Sequence, residues 1–272
     1  MKKIFDVFLF NNEIDMLSFR LEYLNDIVDK FIIVECSLTH SGKPKKLYYK
    51  DNKDIFTDYN DKIIHVIATD LLDASIEKDS FVRKNKQRNS WINCIKDIEI
   101  DDNDLILISD VDEIPDKNSL ENLKNNNVEN VIYSFEQDIY LYNLYCKKND
   151  KNNNAKALNY LTFKTIANQK SSDIRSNSVN IEYINIPNGG WHFSYFGNVD
   201  FIKNKIKSFA YQEFYRDEFL DDVKILNQIK ECKDIFFRDD HVFSYNELNT
   251  NNYLPANHDK LLVFNELYDN NK

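Results

Sequence analysis

The stretch LILISDVDEIP, residues 105–115, decides how the chain is read. Leu105, Ile106, Leu107 and Ile108 form a buried strand. Ser109, Asp110, Val111, Asp112 and Glu113 end it in acid, with no turn residue between. Three carboxylates so close together repel one another, and a divalent cation that favours hard oxygen ligands, Mg²⁺ or Mn²⁺, is the usual compensator. Asp110 and Asp112 flank Val111, so an extended backbone aims both to one side, and Pro115 stops the strand. A metal site is favoured over a solvated acidic loop.

Upstream, residues 4–10 read as a first strand. Asn12 with Asp15 resembles a helix cap, and Ile14, Leu17, Leu21, Leu24 and Val28 recur at helical spacing. Residues 31–34 are a second buried strand ending in Glu35, so the chain opens as a β-α-β unit with a parallel pair. Such sheets bind ligands at the carboxyl ends of their strands. Glu35 and the loop CSLTHSGKP sit at such an end, where Lys43 can meet a phosphate or a carboxylate. A third strand covers residues 62–68, and residues 75–98 read as a long helix with an apolar stripe of Phe81, Ile92 and Ile95. Asn85 and Arg88 fall on that stripe. An inward arginine needs a partner, either an acid such as Asp110 or Glu113 or a bound anion.

Downstream, residues 119–124 read as a short helix. Two alternating strands follow, around 131–135 and 140–144, with Glu136 and Asp138 between them, and residues 147–156 read as a polar loop. The chain has four glycines, far below the roughly 7% of average usage, and three of them, Gly189, Gly190 and Gly197, fall within IPNGGWHFSYFG. This reads as a binding loop in which Trp191, His192, Phe193 and Tyr195 supply stacking faces and a titratable ring. Asn198 caps a helix whose inward stripe is Ile202, Ile206 and Phe209. Glu213 takes the next inward position, half-buried as suits a general base.

A chain of 272 residues, 42% hydrophobic and with a net charge of −10, buries a full core and lacks the basic surface that nucleic acid or an anionic membrane would require. Cys36, Cys94, Cys146 and Cys232 form no C-x-x-C pair, so reduced, buried thiols are expected and disulfides are not. The start lacks a signal-peptide pattern, no apolar run reaches membrane-span length, and no N-x-S/T acceptor occurs. A cytoplasmic setting is therefore expected.

Taken together, NEIDMLSFRLEYL, VDKFIIVECSLTHSGKPKKL, SDVDEIP, GGWHFSYFG and KIKSFAYQEF resemble glycosyltransferase family 17, in the same order, from about Phe5 to YLP near the C-terminus. The resemblance implies an α/β, GT-A-type, Rossmann-like nucleotide-sugar-binding fold with a mostly parallel central sheet. It implies one domain over residues 1–272, with residues 1–115 as the nucleotide-binding half and 116–272 as the acceptor side with the C-terminal helices. It further implies an inverting transfer of a sugar, GlcNAc foremost, from a UDP-sugar to a hydroxyl of a glycan or glycoconjugate acceptor, with Mn²⁺ or Mg²⁺. Asp110 and Asp112 match the family's DxD, the second contacting the metal that bridges the diphosphate. Glu35 and the loop from Thr39 to Lys43 would line the nucleotide, with Trp191 and His192 on the donor as well. Arg88 falls on an arginine the relatives keep, whereas Asn85 stands where many carry Glu. No counterpart of the membrane anchor of the animal members is expected here, so a Golgi glycoprotein acceptor is not carried over.

The charge that grows on the leaving diphosphate would be met by the metal, Arg175, Lys205 or His192. Glu213 is the expected catalytic base, with Glu136 and Asp138 as rivals. Two other readings compete: a haloacid-dehalogenase-like phosphatase with Asp110 as nucleophile, and a sugar-binding module without catalysis.

Overall fold

The structure, a computed structural model, describes residues 2–71, 73–126 and 128–264. The first half of the chain supplies β1 (Ile4–Leu9), α1 (Ile14–Leu24), β2 (Lys30–Cys36), α2 (Tyr48–Asn52), β3 (Ile63–Ala68), α3 (Ser80–Asn89) and β4 (Leu105–Asp110). Its four strands are parallel, in the order β3-β2-β1-β4, and the expected β-α-β opening is present. Alternation explains why β1 reads as an almost unbroken apolar run. Ile4 and Phe8 pack with Leu17 and Leu21 of α1, while Phe5, Val7 and Leu9 pack on the other face with Ile106, Ile108 and Trp91.

Asp6 is the exception within β1. It is fully buried and accepts hydrogen bonds from Arg20 of α1, from Nε at 2.8 Å and Nη2 at 2.6 Å. The same guanidinium donates to Ser109 Oγ at 2.6 Å and to the carbonyl of Glu113 at 2.8 Å, with those of Asp110 and Val111 at 3.2 and 3.3 Å. One helix residue thus ties the backbone of the acidic turn to the first strand.

The helix expected over residues 75–98 is shorter and rotated. α3 is capped by Asp79 and gives way to a 3-10 segment, Ser90–Asp97. Its buried face is Ser80, Arg83, Gln87 and Arg88, whereas Asn85 is exposed. The expected phase fails because Phe81 meets Tyr211 edge-on at the surface, with ring centroids 5.1 Å apart, and not in the core.

The second half adds β5 (Glu113–Pro115), α4 (Lys117–Asn125), β6 (Val131–Leu141), β7 (Cys146–Asn152), β8 (Lys156–Asn159), α5 (Tyr160–Thr165), α6 (Ser171–Arg175), β9 (Glu182–Ser194), α7 (Val199–Ser208), α8 (Asp222–Lys230) and β10 (Phe243–Tyr245). The sheet here departs from the expected mostly parallel pattern. It is mixed, in the order β10-β7-β6-β8-β4-β1-β2-β3, and every pairing from β4 outward to β10 is antiparallel. β9 lies off this path, parallel to β6 and antiparallel to β5.

Three further expectations change. The two strands around 131–144 are the single long strand β6, and the polar stretch 147–156 is β7 and the start of β8. The glycine pair belongs to β9, not to a loop, and Pro115 pairs with Gly190 inside β5. Backbone crowding explains these glycines. A Cβ on Gly190, whose φ is +128°, would lie 2.1 Å from the carbonyl oxygen of Ile114, and one on Gly189 would lie 2.8 Å from Phe135 Cα.

Cys146 and Cys232, expected as separate thiols, are joined at 2.10 Å, with Cα atoms 5.2 Å apart. The bond fastens the start of β7 to the segment just after α8, and it removes the cysteine argument for a cytoplasmic setting. Cys36 and Cys94 are free, and among the described residues no helix is long and apolar enough to cross a membrane.

Candidate active site

Strand order reverses between β1 and β4, because β2 and β3 extend the sheet on one side of β1 and β4 lies on the other. Crevices outside the carboxyl ends of strands at such a reversal are where ligands of open α/β sheets bind. A cleft of about 430 Å³ opens there, lined by Leu9 to Asn11 after β1, by Thr39, His40 and Lys45 after β2, and by Asp110 to Glu113 after β4. Its opposite wall comes from the second half and is partly aromatic, with Tyr195, Phe209, Phe214 and Phe236 beside Arg238 and His241.

The acidic turn is met by cations from four elements. Arg88, in the last turn of α3, donates from Nη2 to Asp110 Oδ1 at 2.8 Å, and Lys84, one turn earlier, lies 3.4 Å from Oδ2. Arg175, the last residue of α6, grips Glu113 from Nη1 at 2.5 Å and Nη2 at 2.8 Å and lies 3.5 Å from Asp110. Lys205 of α7 reaches Asp112 Oδ2 at 2.7 Å and Glu13 Oε1 at 3.6 Å. The β5–β9 pairing sets His192 opposite Glu113, with Nε2 3.7 Å from Asp112. Glu13, Asp110, Asp112 and Glu113 are therefore balanced by Lys84, Arg88, Arg175 and Lys205, with His192 as a fifth basic group.

Burial would raise the Asp110 carboxyl, but Arg88, Lys84 and Arg175 outweigh it and hold the group well below its ordinary value. Lys205 and His192 do the same for Asp112, and Arg175 for Glu113. In return, Asp112 raises His192 and Lys205 against the opposing effect of burial. The turn is thus ionised, and its cations are locked in place before any ligand arrives.

Over residues 1–270 the chain matches the sequence pattern of glycosyltransferase family 17. The chain belongs to that family. It is also similar to the β-1,4-mannosyl-glycoprotein 4-β-N-acetylglucosaminyltransferase of rat, Rattus norvegicus, with 24% identity over 129 residues, 45% of this chain and 23% of the relative. The match thus spans about a quarter of that relative's length. Family 17 membership sets aside the phosphatase reading of Asp110.

Within this family 17 chain the expected site residues divide. Asp110, Asp112, Thr39, Arg175, His192 and Lys205 all line the cleft, and Arg88 supports its floor through Asp110. Glu35 is buried under the loop after β2, where it accepts from Tyr49 N at 3.1 Å and pairs with His65 at 3.1 Å and Lys45 at 3.7 Å. Lys43 is exposed, its ammonium over the Tyr215 ring. Trp191 is core: it stacks on Tyr253 at 4.8 Å and donates to that residue's carbonyl.

Glu213 does not hold the helical position expected of it. α7 ends at Ser208, Glu213 lies in a 3-10 turn, Gln212–Phe214, and its side chain is exposed and away from the cleft lining. Of its rivals, Asp138 is buried inside β6 and paired with Lys147 and Lys151, and Glu136 also lies within β6. Neither lines the cleft. Sequence reasoning missed Glu13, Lys84, Gln87, Arg238 and His241, all of which line it, whereas His40 belongs to the Thr39 to Lys43 loop expected there. The four-residue steps Arg83–Gln87 and Lys84–Arg88 are the signal that would have exposed α3's polar inner face.

Proposed function

We propose that the cleft binds a UDP-sugar and transfers its sugar, GlcNAc foremost, with inversion to a hydroxyl of a glycan acceptor, on a GT-A-type arrangement in which residues 1–115 hold the nucleotide and 116–272 the acceptor. The observation that carries this is the meeting of Asp110 and Asp112 with Lys84, Arg175, Lys205 and His192 at the strand-order reversal. In a protein of net charge −10, these paired cations stand where a diphosphate would lie. The name of the rat relative supports GlcNAc as the sugar.

Asp110 and Asp112 suit Mn²⁺ or Mg²⁺ as two neighbouring hard-oxygen donors facing the cleft. Among the described residues no group of three or more His, Cys, Asp or Glu could hold an ion. The donor diphosphate and water would therefore complete its shell, as is usual for Mg²⁺. When bound, the ion supplies Lewis-acid polarisation of the diphosphate oxygens.

The chain's own groups do the rest. As the sugar–phosphate bond breaks, Lys84, Arg175 and Lys205 face the growing charge, already fixed by their acidic partners, so no reorganisation is needed. The proton of the attacking hydroxyl goes to His241. This residue lines the cleft with Nδ1 3.8 Å from Asp234 Oδ1, and burial, Arg238 and Lys148 lower its pKa, leaving the ring uncharged near neutrality.

Incubation with UDP-GlcNAc, Mn²⁺ and glycan acceptors should release UDP and yield a product of inverted anomeric configuration. His241→Asn should slow this by roughly 10²-fold at unchanged donor affinity. Hydrolysis of p-nitrophenyl phosphate without turnover of any UDP-sugar would overturn the reading.

A further inference from the structure

His40 lines the cleft from the loop after β2. The loop is held on both sides. Arg83 Nε donates to the His40 carbonyl at 2.6 Å, while Ser41 donates from its amide to Ser208 O at 3.2 Å and from its hydroxyl to Lys207 O at 3.0 Å. Gly42, at φ +83°, makes the turn where a Cβ would lie 2.6 Å from Ala74 N.

The ring's hydrogen-bonding polarity follows from two links. Gln87 Nε2 lies 2.9 Å from the carbonyl oxygen of Val34. A carbonyl can only accept, so the amide nitrogen of Gln87 faces Val34 and its oxygen faces His40. That oxygen lies 2.9 Å from His40 Nε2, which must therefore carry the hydrogen. A neutral imidazole has one N–H, so Nδ1 is left as a bare acceptor. Burial and the charge of Lys84 push the ring down to about 3, so it stays neutral. Among the described residues Nδ1 has no hydrogen-bond partner, and it is not one of the polar atoms sealed in the protein. In a cleft rich in donors, it is an obligate acceptor on a preorganised loop.

Resting on the UDP-sugar reading, we propose that His40 Nδ1 accepts the N3–H of the uracil ring and selects uridine over cytidine nucleotides. Uracil presents an N–H at this edge, whereas cytosine presents a bare nitrogen, which would set two acceptors against each other. The acetamide N–H is the other N–H group that UDP-GlcNAc carries. Strand order favours the base: His40 follows β2, on the far side of β1 from β4, whereas the transferred sugar has to face the acceptor wall built by the second half.

The test is calorimetric binding of UDP, CDP and N3-methyl-UDP, and of UDP-GlcNAc and UDP-glucose, to wild type and His40→Leu. Wild type should prefer UDP to CDP and to N3-methyl-UDP by roughly tenfold or more, and the variant should bring the three within about threefold of one another. Imidazole ¹⁵N spectra of wild type, independent of how the variant folds, should show a protonated Nε2 and an Nδ1 resonance that shifts on adding UDP but not CDP. Retained UDP preference in His40→Leu, or an Nδ1 resonance indifferent to UDP, would overturn the inference. So would loss of UDP-GlcNAc over UDP-glucose preference with the UDP/CDP ratio intact, which would hand His40 to the acetamide. If wild type binds no uridine nucleotide at all, the donor reading fails first and takes this inference with it.

Discussion

β1, β2 and β4 are buried on both faces and their sequences are nearly continuous apolar runs, whereas β6 and β7 carry Glu136, Asp138, Lys147, Lys148, Asn149, Asp150 and Lys151 within their strands. Position in the sheet accounts for the contrast. Central parallel strands exclude water on both sides, so only apolar residues serve. The antiparallel strands run out to a solvated edge, where ion pairs such as Lys147–Asp138 at 2.7 Å replace apolar packing, while Ile139, Leu141, Lys148 and Asn152 of β6 and β7 line the cleft. The first half holds the site's acids by core packing, and the second half delivers most of the residues that surround them.

Arg20→Leu should produce the largest effect. It strands Asp6 as an unpaired buried charge and releases the backbone of the acidic turn, costing about 3–5 kcal/mol in denaturant unfolding. Asp6→Leu added to it should recover stability but not activity, because the carbonyls of the turn stay unheld. Recovery of both would mean that the first half does not shape the site.

In the second half, Cys232→Ser opens an 86-residue loop and should cost about 2–4 kcal/mol, with reductant giving the same loss in wild type and none in the variant. Gly190→Ala should cost about 2–3 kcal/mol, since it meets the Ile114 carbonyl at a positive φ. A normal melting temperature with lost donor binding would instead make Gly190 a ligand-contacting residue.

The contrast between halves also sets what was legible in the sequence. Apolar strands announce themselves, so residues 4–10, 31–34, 62–68 and 105–108 read as strands, and the acidic end of the last pointed to the cleft. The glycine pair misled because crowding between strand backbones and close approach to a ligand make the same demand on a residue. β7 misled because a strand rich in Lys and Asn, next to the short edge strand β10, has the composition of a loop. The Arg88–Asp110 pair was legible as one alternative for an inward arginine, but the other pairings were beyond reach for a different reason: Arg20, Lys84, Arg175, Lys205 and His192 arrive from five elements, and pairing at such separations is fixed by topology, not by local pattern.

The smallest effect should come from Glu213→Gln. This exposed residue lies outside the cleft, so transfer should stay within a few-fold of wild type and stability within roughly 0.5 kcal/mol. A loss near 10²-fold would return the base role to it and remove it from His241.

The measurement that bears most directly on the cleft as a nucleotide-sugar site is calorimetric titration of UDP, with Mn²⁺ present, into wild type and Asp112→Asn. The substitution keeps the shape of a side chain in the turn between β4 and β5 and removes its charge from Lys205 and His192. The account predicts saturable binding to wild type and at least roughly tenfold weaker binding to the variant, with both proteins folded. Equal UDP affinity in the two would contradict it.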